Sequence, residues 1–375
     1  MEMKGDIALE GFWFSDNGVS SMQNNQAVSV AGNVEFFHDI TDNMSFTLEG
    51  FYRLDSEDTE RSHGDLRLAE LLYYTNSWEV SAGFGHVFWG ATEFVHLVDI
   101  INQTDMVEYI DGEEKLGQPM LHLTIPRDWG VMEAFVMPWF RERTFHGLEG
   151  RFRAPLYVDT DKAQYESSNK EHHTDLAVRY STTVQDADIG LYHFTGTSRE
   201  PVLQLAIQDD HSPVLIPYYE QIGQTGLDIQ MSAGEWLLKG EALYRTGQGR
   251  DFFATTFGFE YTFSSLGSSL MDLGLIGEYV YDDRDQAWMP TLFDNDIMAG
   301  VRLAVNDLDD TTVLAGIMYD LENGSTLVTL EAGRRIGEDL RINLEAGLFC
   351  DIADHDPAYI LAKDDYLRME VVWYW

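Results

Sequence analysis

Segments of alternating apolar and polar residues recur along all 375 residues, short polar turns alternate with longer connections, and the chain closes on an alternating run ending in tryptophan. Together these predict an all-β fold: a transmembrane antiparallel β-barrel of about 18 strands, with residues 1–375 as one domain. The chain ending is the most informative of the three. Leu367, Met369, Val371, Trp373 and Trp375 fall on one strand face, and Arg368, Glu370, Val372 and Tyr374 on the other. A strand apolar on one side, charged on the other and closed by aromatics suits a wall whose outer band meets lipid and whose girdle sits at the headgroups. An edge strand of a soluble sandwich would alternate in the same way, so the rest of the chain has to decide.

Composition narrows the choice. No Pro-rich, Ser-rich or charged linker divides the chain, which favours one closed sheet over several domains. No run of eighteen apolar residues occurs and the mean hydropathy is -0.24, which excludes helical spans. A barrel escapes that test because only alternate residues face lipid. The single Cys350 excludes an internal disulfide framework and a cysteine metal cluster. A net charge of -40, from 64 acidic and 24 basic residues, argues against nucleic-acid partners and for loops that gather cations. Met1 to Gly5 lead straight into alternation with neither a basic n-region nor an apolar h-region, so the expectation is a mature chain whose signal peptide has been removed.

Strands are predicted over 3–14, 26–40, 43–55, 64–76, 77–87, 118–126, 129–140, 172–184, 186–208, 213–231, 234–246, 250–263, 270–282, 294–306, 311–320, 325–335, 338–350 and 365–375. Sixteen strands result if the weak pair around 118–126 is misread. Turns near Thr41, Asn76, Arg127, Asp186, Ala233, Asp307 and Gly337 are short, whereas the connections 15–25, 56–63, 88–117, 141–171, 283–293 and 351–364 are long. Short turns on one rim and long loops on the other is the asymmetry of bacterial outer-membrane barrels. A strand of about 11 residues at ~3.3 Å per residue, tilted near 45°, spans roughly the 25 Å of the apolar band.

Face assignment follows from charge, because Arg or Lys at the bilayer midplane costs roughly 2–4 kcal/mol. Residues 43–55 place Met44, Phe46, Leu48 and Tyr52 outside with Glu49 and Arg53 inside. Residues 234–246 place Trp236, Leu238, Ala242 and Tyr244 outside with Lys239, Glu241 and Arg245 inside. Residues 294–306 and 338–350 repeat the pattern, with Arg302 and Arg341 inside. The expected lumen wall is therefore charged and nearly balanced, with Arg53, Arg67, Lys239, Arg245, Arg302 and Arg341 among its bases.

Residues 88–117 are too apolar for a free surface loop: Phe94, Val95, Leu97, Val98, Ile100 and Ile101 need cover, and the barrel interior can supply it. An inward-folded constriction is expected, with Glu93, Asp99, Asp105, Glu108 and Asp111 facing wall bases and Arg141 and Arg143 at the outer end of the seventh strand. Opposed charges there would set up a transverse field. A lid over the mouth is the plainer alternative. Trp89-Gly90, the run Asp99-Ile100-Ile101-Asn102-Gln103-Thr104-Asp105 and Pro217-Tyr218-Tyr219-Glu220-Gln221-Ile222 resemble porin-like outer-membrane proteins of Gram-negative bacteria. The resemblance implies barrel architecture and outer-membrane localisation.

No catalytic arrangement stands out, and a non-enzyme is expected. His172 and His173 point to opposite strand faces, His193 lacks a serine partner, and the acids at 282–285 and 351–356 lack the glycine and terminal glutamate of a calcium loop. No resident cofactor is expected, although loosely held Ca²⁺ or Mg²⁺ bridging to lipopolysaccharide phosphates suits so many carboxylates. The functional expectation is a porin-like channel passing small hydrophilic solutes by diffusion, with a cation preference. The alternative is a gated exporter or lipid-handling barrel working with a periplasmic machine. Outer-membrane lipids and the barrel-assembly machinery, which would read Trp373 and Trp375, are the expected partners.

Overall fold

The computed structural model describes residues 1–208 and 211–375. The strands are β1 (Glu2–Phe14), β2 (Gln26–Thr41), β3 (Met44–Asp55), β4 (Gly64–Tyr74), β5 (Glu79–Gly85), β6 (Gln118–Arg127), β7 (Gly130–Met137), β8 (Gln164–Tyr165), β9 (Asp175–Val184), β10 (Ala187–Thr197) and β11 (Val202–Ile207). They continue with β12 (Pro213–Tyr219), β13 (Gln221–Ala233), β14 (Trp236–Thr246), β15 (Phe252–Phe263), β16 (Asp272–Asp282), β17 (Asn295–Ala304), β18 (Thr312–Asp320), β19 (Thr326–Ile336), β20 (Leu340–Cys350) and β21 (Tyr366–Tyr374). Eighteen of them form one sheet in which chain neighbours pair antiparallel, and β1 closes it by pairing with both β2 and β21. Closure leaves no open edge, so every wall strand finds its backbone partners within the sheet.

Alternation is expressed as predicted. Leu9, Val30, Val34, Leu121, Val178, Leu191, Phe257, Val301 and Leu348 are exposed on the outer face, while Glu10, Arg53, Asp228, Glu241, Arg245 and Glu278 are buried on the inner one. Aromatics collect at both edges of the outer band: Trp78, Trp129, Trp236, Trp373 and Trp375 at the short-turn rim, and Trp13, Tyr52, Tyr244, Phe253 and Tyr281 at the other. Such a surface suits a bilayer and not water. Gly234 (φ 65°) and Gly337 (φ 70°) take up the left-handed conformation that the tight turns β13–β14 and β19–β20 require. Between β3 and β4 the register shifts at Glu49 and Gly50, leaving Arg67 as the extra residue, with its guanidinium over the Phe51 ring at 4.6 Å.

Several expected boundaries are corrected. The spans 186–208 and 213–231 each split into a wall strand and a strand of a separate hairpin, β11 with β12, which also takes β8 in parallel. The break falls at Thr197 to Pro201, where proline supplies no N–H and Arg199 turns inward to Asp175 at 2.7 Å. Alternation carries on across the break because both sheets need it, which is why periodicity does not reveal it. β7 ends at Met137, just before Pro138 and short of the expected 140, so Arg141 and Arg143 stand a few residues beyond the strand end, within the connection expected from 141.

Candidate constriction in the lumen

The connection between β5 and β6 folds into the lumen and docks on one side of the wall. Val98, Ile100 and Ile101 are fully or almost fully buried, packed with Trp89 against Met120, Phe135, Met137, Ala177, Tyr192, Phe194 and Ile222 of β6, β7, β9, β10 and β13. Each such aliphatic side chain contributes roughly 1.5–3 kcal/mol on burial, which offsets part of the cost of ordering the loop, about 1–2 kcal/mol per residue of backbone.

Polar contacts fix the register of the loop on the wall. The Glu241 carboxylate accepts the Ala91 N–H at 2.7 Å, the Thr92 N–H at 3.1 Å, the Thr92 hydroxyl at 2.8 Å and the Val98 N–H at 3.2 Å. Glu278 accepts the Glu93 and Phe94 N–H groups at 2.6 and 3.1 Å. Glu93 itself pairs with Lys239 at 3.1 Å and with Arg302. Arg199 donates from two of its nitrogens to the Ile101 carbonyl at 3.1 and 3.0 Å. Two wall carboxylates thus satisfy the N–H groups of a turn that would otherwise be stranded away from water.

The far end of the loop is held by ion pairs. Asp105, wholly buried, receives His63 at 3.0 Å, Arg67 at 2.9 Å and the Thr144 hydroxyl at 2.8 Å. Burial pushes the Asp105 carboxyl up, but the hydrogen bond and charge of His63 with the charge of Arg67 outweigh it, leaving the group below its usual range. His63 is correspondingly raised: burial lowers it, and the Asp105 hydrogen bond and charge win. Glu108 pairs with Arg53 at 2.7 Å, and Arg53 also reaches Glu10 at 3.0 Å. Glu10 further takes Arg61 at 2.7 Å and Arg368 at 2.6 Å.

The remaining predicted residues fall out differently. Asp99 pairs with Lys115 of its own loop at 3.1 Å, not with the wall. Arg141 pairs with Asp65 at 2.6 Å, and Arg143 lies near Tyr219, whose hydroxyl accepts its backbone N–H at 3.0 Å. Arg245 holds Glu200 at 2.5 Å, and Arg341 holds Asp310 at 2.9 Å. Most loop acids are therefore knitted to bases, and Asp111 alone of the five has no cationic partner among the described residues. Within the acidic stretch 282–285, Asp282 is engaged by Arg284 at 2.6 Å. His63, Asp105 and Glu108 place ligand atoms within 4.8 Å of one another, but Arg53 and Arg67 already occupy those carboxylates.

On the opposite side the loop stands off β17–β20, and a row of cavities runs along that gap. A chamber of about 540 Å³ on the short-turn side, bounded by Asp6, Glu345, Glu370 and Tyr374, shares Glu331 and Asn343 with one of about 300 Å³ beside Arg302 and Arg341. Glu93 and Leu314 connect that to a cavity of about 270 Å³ between Phe94, Tyr109 and Ile110 of the loop and Met318, Leu327 and Phe349 of the wall. Above it Leu292, Leu361, Asp296 and Asp320 line a smaller cavity of about 40 Å³ that shares Leu292, Met318, Leu327, Phe349 and Leu361 with its neighbour. Phe94 approaches the wall where glycines leave room: a Cβ on Gly316 would lie 3.0 Å from its ring.

Sequence reasoning misses this apolar inner belt. A signal exists, since residues 312–319 are apolar on both faces rather than one, and a strand with no polar face in a barrel points to apolar cover or cargo inside.

No protein-family model matches the chain, and no curated protein matches it in sequence. Solved structures share its fold. A BenF-like porin from Pseudomonas fluorescens is 9% identical with a TM-score of 0.55, covering 100% of this chain and 98% of that one. OccD3 of Pseudomonas aeruginosa is 11% identical with a TM-score of 0.52, covering 100% and 91%. Wzi, a carbohydrate-binding β-barrel involved in group 1 capsule assembly in Escherichia coli, is 10% identical with a TM-score of 0.52, covering 98% and 83%. The chain has the closed antiparallel architecture of these outer-membrane β-barrels.

Proposed function

We propose that this barrel resides in the bacterial outer membrane and is a porin-like channel for passive diffusion of small hydrophilic solutes, narrowed by residues 88–117 and cation-preferring. The observation that carries the reading is the row of cavities sharing lining residues between the docked loop and β17–β20. Acids without cationic partners among the described residues, Asp111 and Glu331 below and Asp296 and Asp320 above, raise the local cation concentration along it. The porin neighbours support a channel, and the ordered loop supports a constriction.

The second reading, a gated exporter or lipid-handling barrel, draws on the apolar belt. Reconstitution into planar bilayers tests the first reading. Stepwise KCl conductance with cation-biased reversal potentials is expected, and a barrel that inserts without conducting overturns it.

A further inference from the structure

The narrow part of the passage combines two features that a plain aqueous pore does not need together. Leu314, Met318, Leu327 and Phe349 face inward from β18–β20 and oppose Phe94 and Ile110 of the loop. Water gains nothing from such a surface, whereas an apolar body crossing it does. Carboxylates flank the belt on both sides. Asp296 and Asp320 sit directly opposite each other on β17 and β18, both buried, and like charges in that cross-strand relation repel unless one carboxyl takes up a proton or a cation lies between them. Below the belt stand Asp111 and Glu331. The bases nearest the passage are already engaged, Arg302 by Glu93, Arg341 by Asp310 and Arg368 by Glu10. Aromatic faces of Phe94, Tyr109, Phe349 and Tyr366 line the same cavity and attract organic cations in their own right.

We propose that the passage selects small organic cations with an apolar body, of the arylalkylammonium class, the body sliding on the belt while the ammonium is handed from Asp296 and Asp320 to Asp111 and Glu331. The proposal rests on the channel reading above and specifies its solute. An anionic aromatic meets the same belt but is repelled at both ends, and a polar cation is attracted but gains no apolar contact.

Bi-ionic reversal potentials across bilayers holding the full-length protein test it with three probes: phenethylammonium, protonated glucosamine and phenylacetate. Phenethylammonium should exceed each of the others in permeability by about tenfold, the scale of discrimination that a few apolar or charged contacts supply. Met318→Ser with Leu327→Ser should bring phenethylammonium and glucosamine together. Asp296→Asn with Glu331→Gln should instead bring phenethylammonium and phenylacetate together. Equal permeability of phenethylammonium and glucosamine in a conducting wild-type protein overturns the apolar half of the proposal, and equal permeability of phenethylammonium and phenylacetate overturns the cationic half, whatever the variants do. A wild-type barrel that conducts no KCl overturns the channel reading itself.

Discussion

The Glu241 carboxylate on β14 binds Thr92 of the inward loop twice, taking its backbone N–H at 3.1 Å and its hydroxyl at 2.8 Å. The same carboxylate takes the Ala91 and Val98 N–H groups, so one wall side chain satisfies four donors of the constriction. Glu241→Gln keeps the size but turns part of an all-acceptor group into a donor facing N–H groups. Stranding a buried donor costs about 1–3 kcal/mol, and the charged acceptor is lost as well. The expected outcome is a barrel that still inserts but shows noisier conductance and faster cleavage within residues 88–117 under limited proteolysis. Wild-type noise and cleavage would show that the apolar docking alone holds the loop.

Replacing residues 92–114 by a short Gly-Ser linker removes Phe94, Ile110 and the buried Val98, Ile100 and Ile101 together. Single-channel conductance should rise, because the gap between loop and wall becomes the whole lumen on that side. Unchanged conductance would place the segment outside the conducting path.

The pair His63 and Asp105 makes part of the lock pH-dependent. His63 is raised above its ordinary 6.5, so its stabilising charge is fully present below that value and is lost as pH rises through the raised one. Asp105 is lowered below its ordinary 3.8, so its contribution is present above 3.8 and is lost as pH falls through the lowered one. The lock is strongest between those two ordinary values. In detergent, the unfolding temperature should decline on the alkaline side of that window, and His63→Gln should flatten the decline. A decline of equal size in His63→Gln would assign the pH dependence to other groups.

Asp111 is expected to carry the variable part of selectivity. Its surface opens to the lumen, yet protein packed around it on loop and wall makes its charge costly, and with Glu113, Glu345 and Glu114 near it the carboxyl is pushed up to about 7. A carboxyl raised in this way is neutral below that pH and charged above it, so cation preference should grow as pH rises through about 7. Asp111→Asn should reduce that growth, leaving the share carried by the other acids of the passage. The effect should be larger at low salt, since the Debye length is ~30 Å at 0.01 M and ~3 Å at 1 M. Reversal potentials that follow the same pH curve in Asp111→Asn would move the assignment elsewhere.

Periodicity made the wall legible because the period of a strand is fixed and lipid tolerates almost no charge; Arg53, Lys239, Glu241 and Arg245 are all inside as their spacing requires. The need to cover Val98, Ile100 and Ile101 made an inward loop legible too. Which acid meets which base was not, because pairing depends on the path of the loop through three dimensions. Asp99 turns back to Lys115, and Glu10, an ordinary inward glutamate by spacing, becomes the hub for Arg53, Arg61 and Arg368. The β11–β12 hairpin escaped for a different reason, since alternation does not change where a strand leaves one sheet for another.

Trp375 closes the barrel beside the first strand. Its backbone exchanges hydrogen bonds with Gly5, the Gly5 N–H donating to the Trp375 carbonyl at 3.2 Å and the Trp375 N–H to the Gly5 carbonyl at 3.0 Å. Its indole covers Gly5 so closely that a Cβ there would lie 2.7 Å from the ring, and both Trp373 and Trp375 remain exposed on the outer band. Trp375→Lys would set a charge at the rim, where the cost is smaller than at the midplane, about 0–1 kcal/mol. Thermodynamics alone therefore predicts little loss. If the assembly machinery reads the terminal aromatic, the loss should be large: folded protein in the outer membrane should fall severalfold in cells for Trp375→Lys, while refolding of the same variant into detergent stays near wild type. Gly5→Val gives the converse, disturbing the packing without changing the terminal residue, and should impair refolding in both settings. Wild-type membrane levels of Trp375→Lys would leave the terminal tryptophan a girdle residue and nothing more.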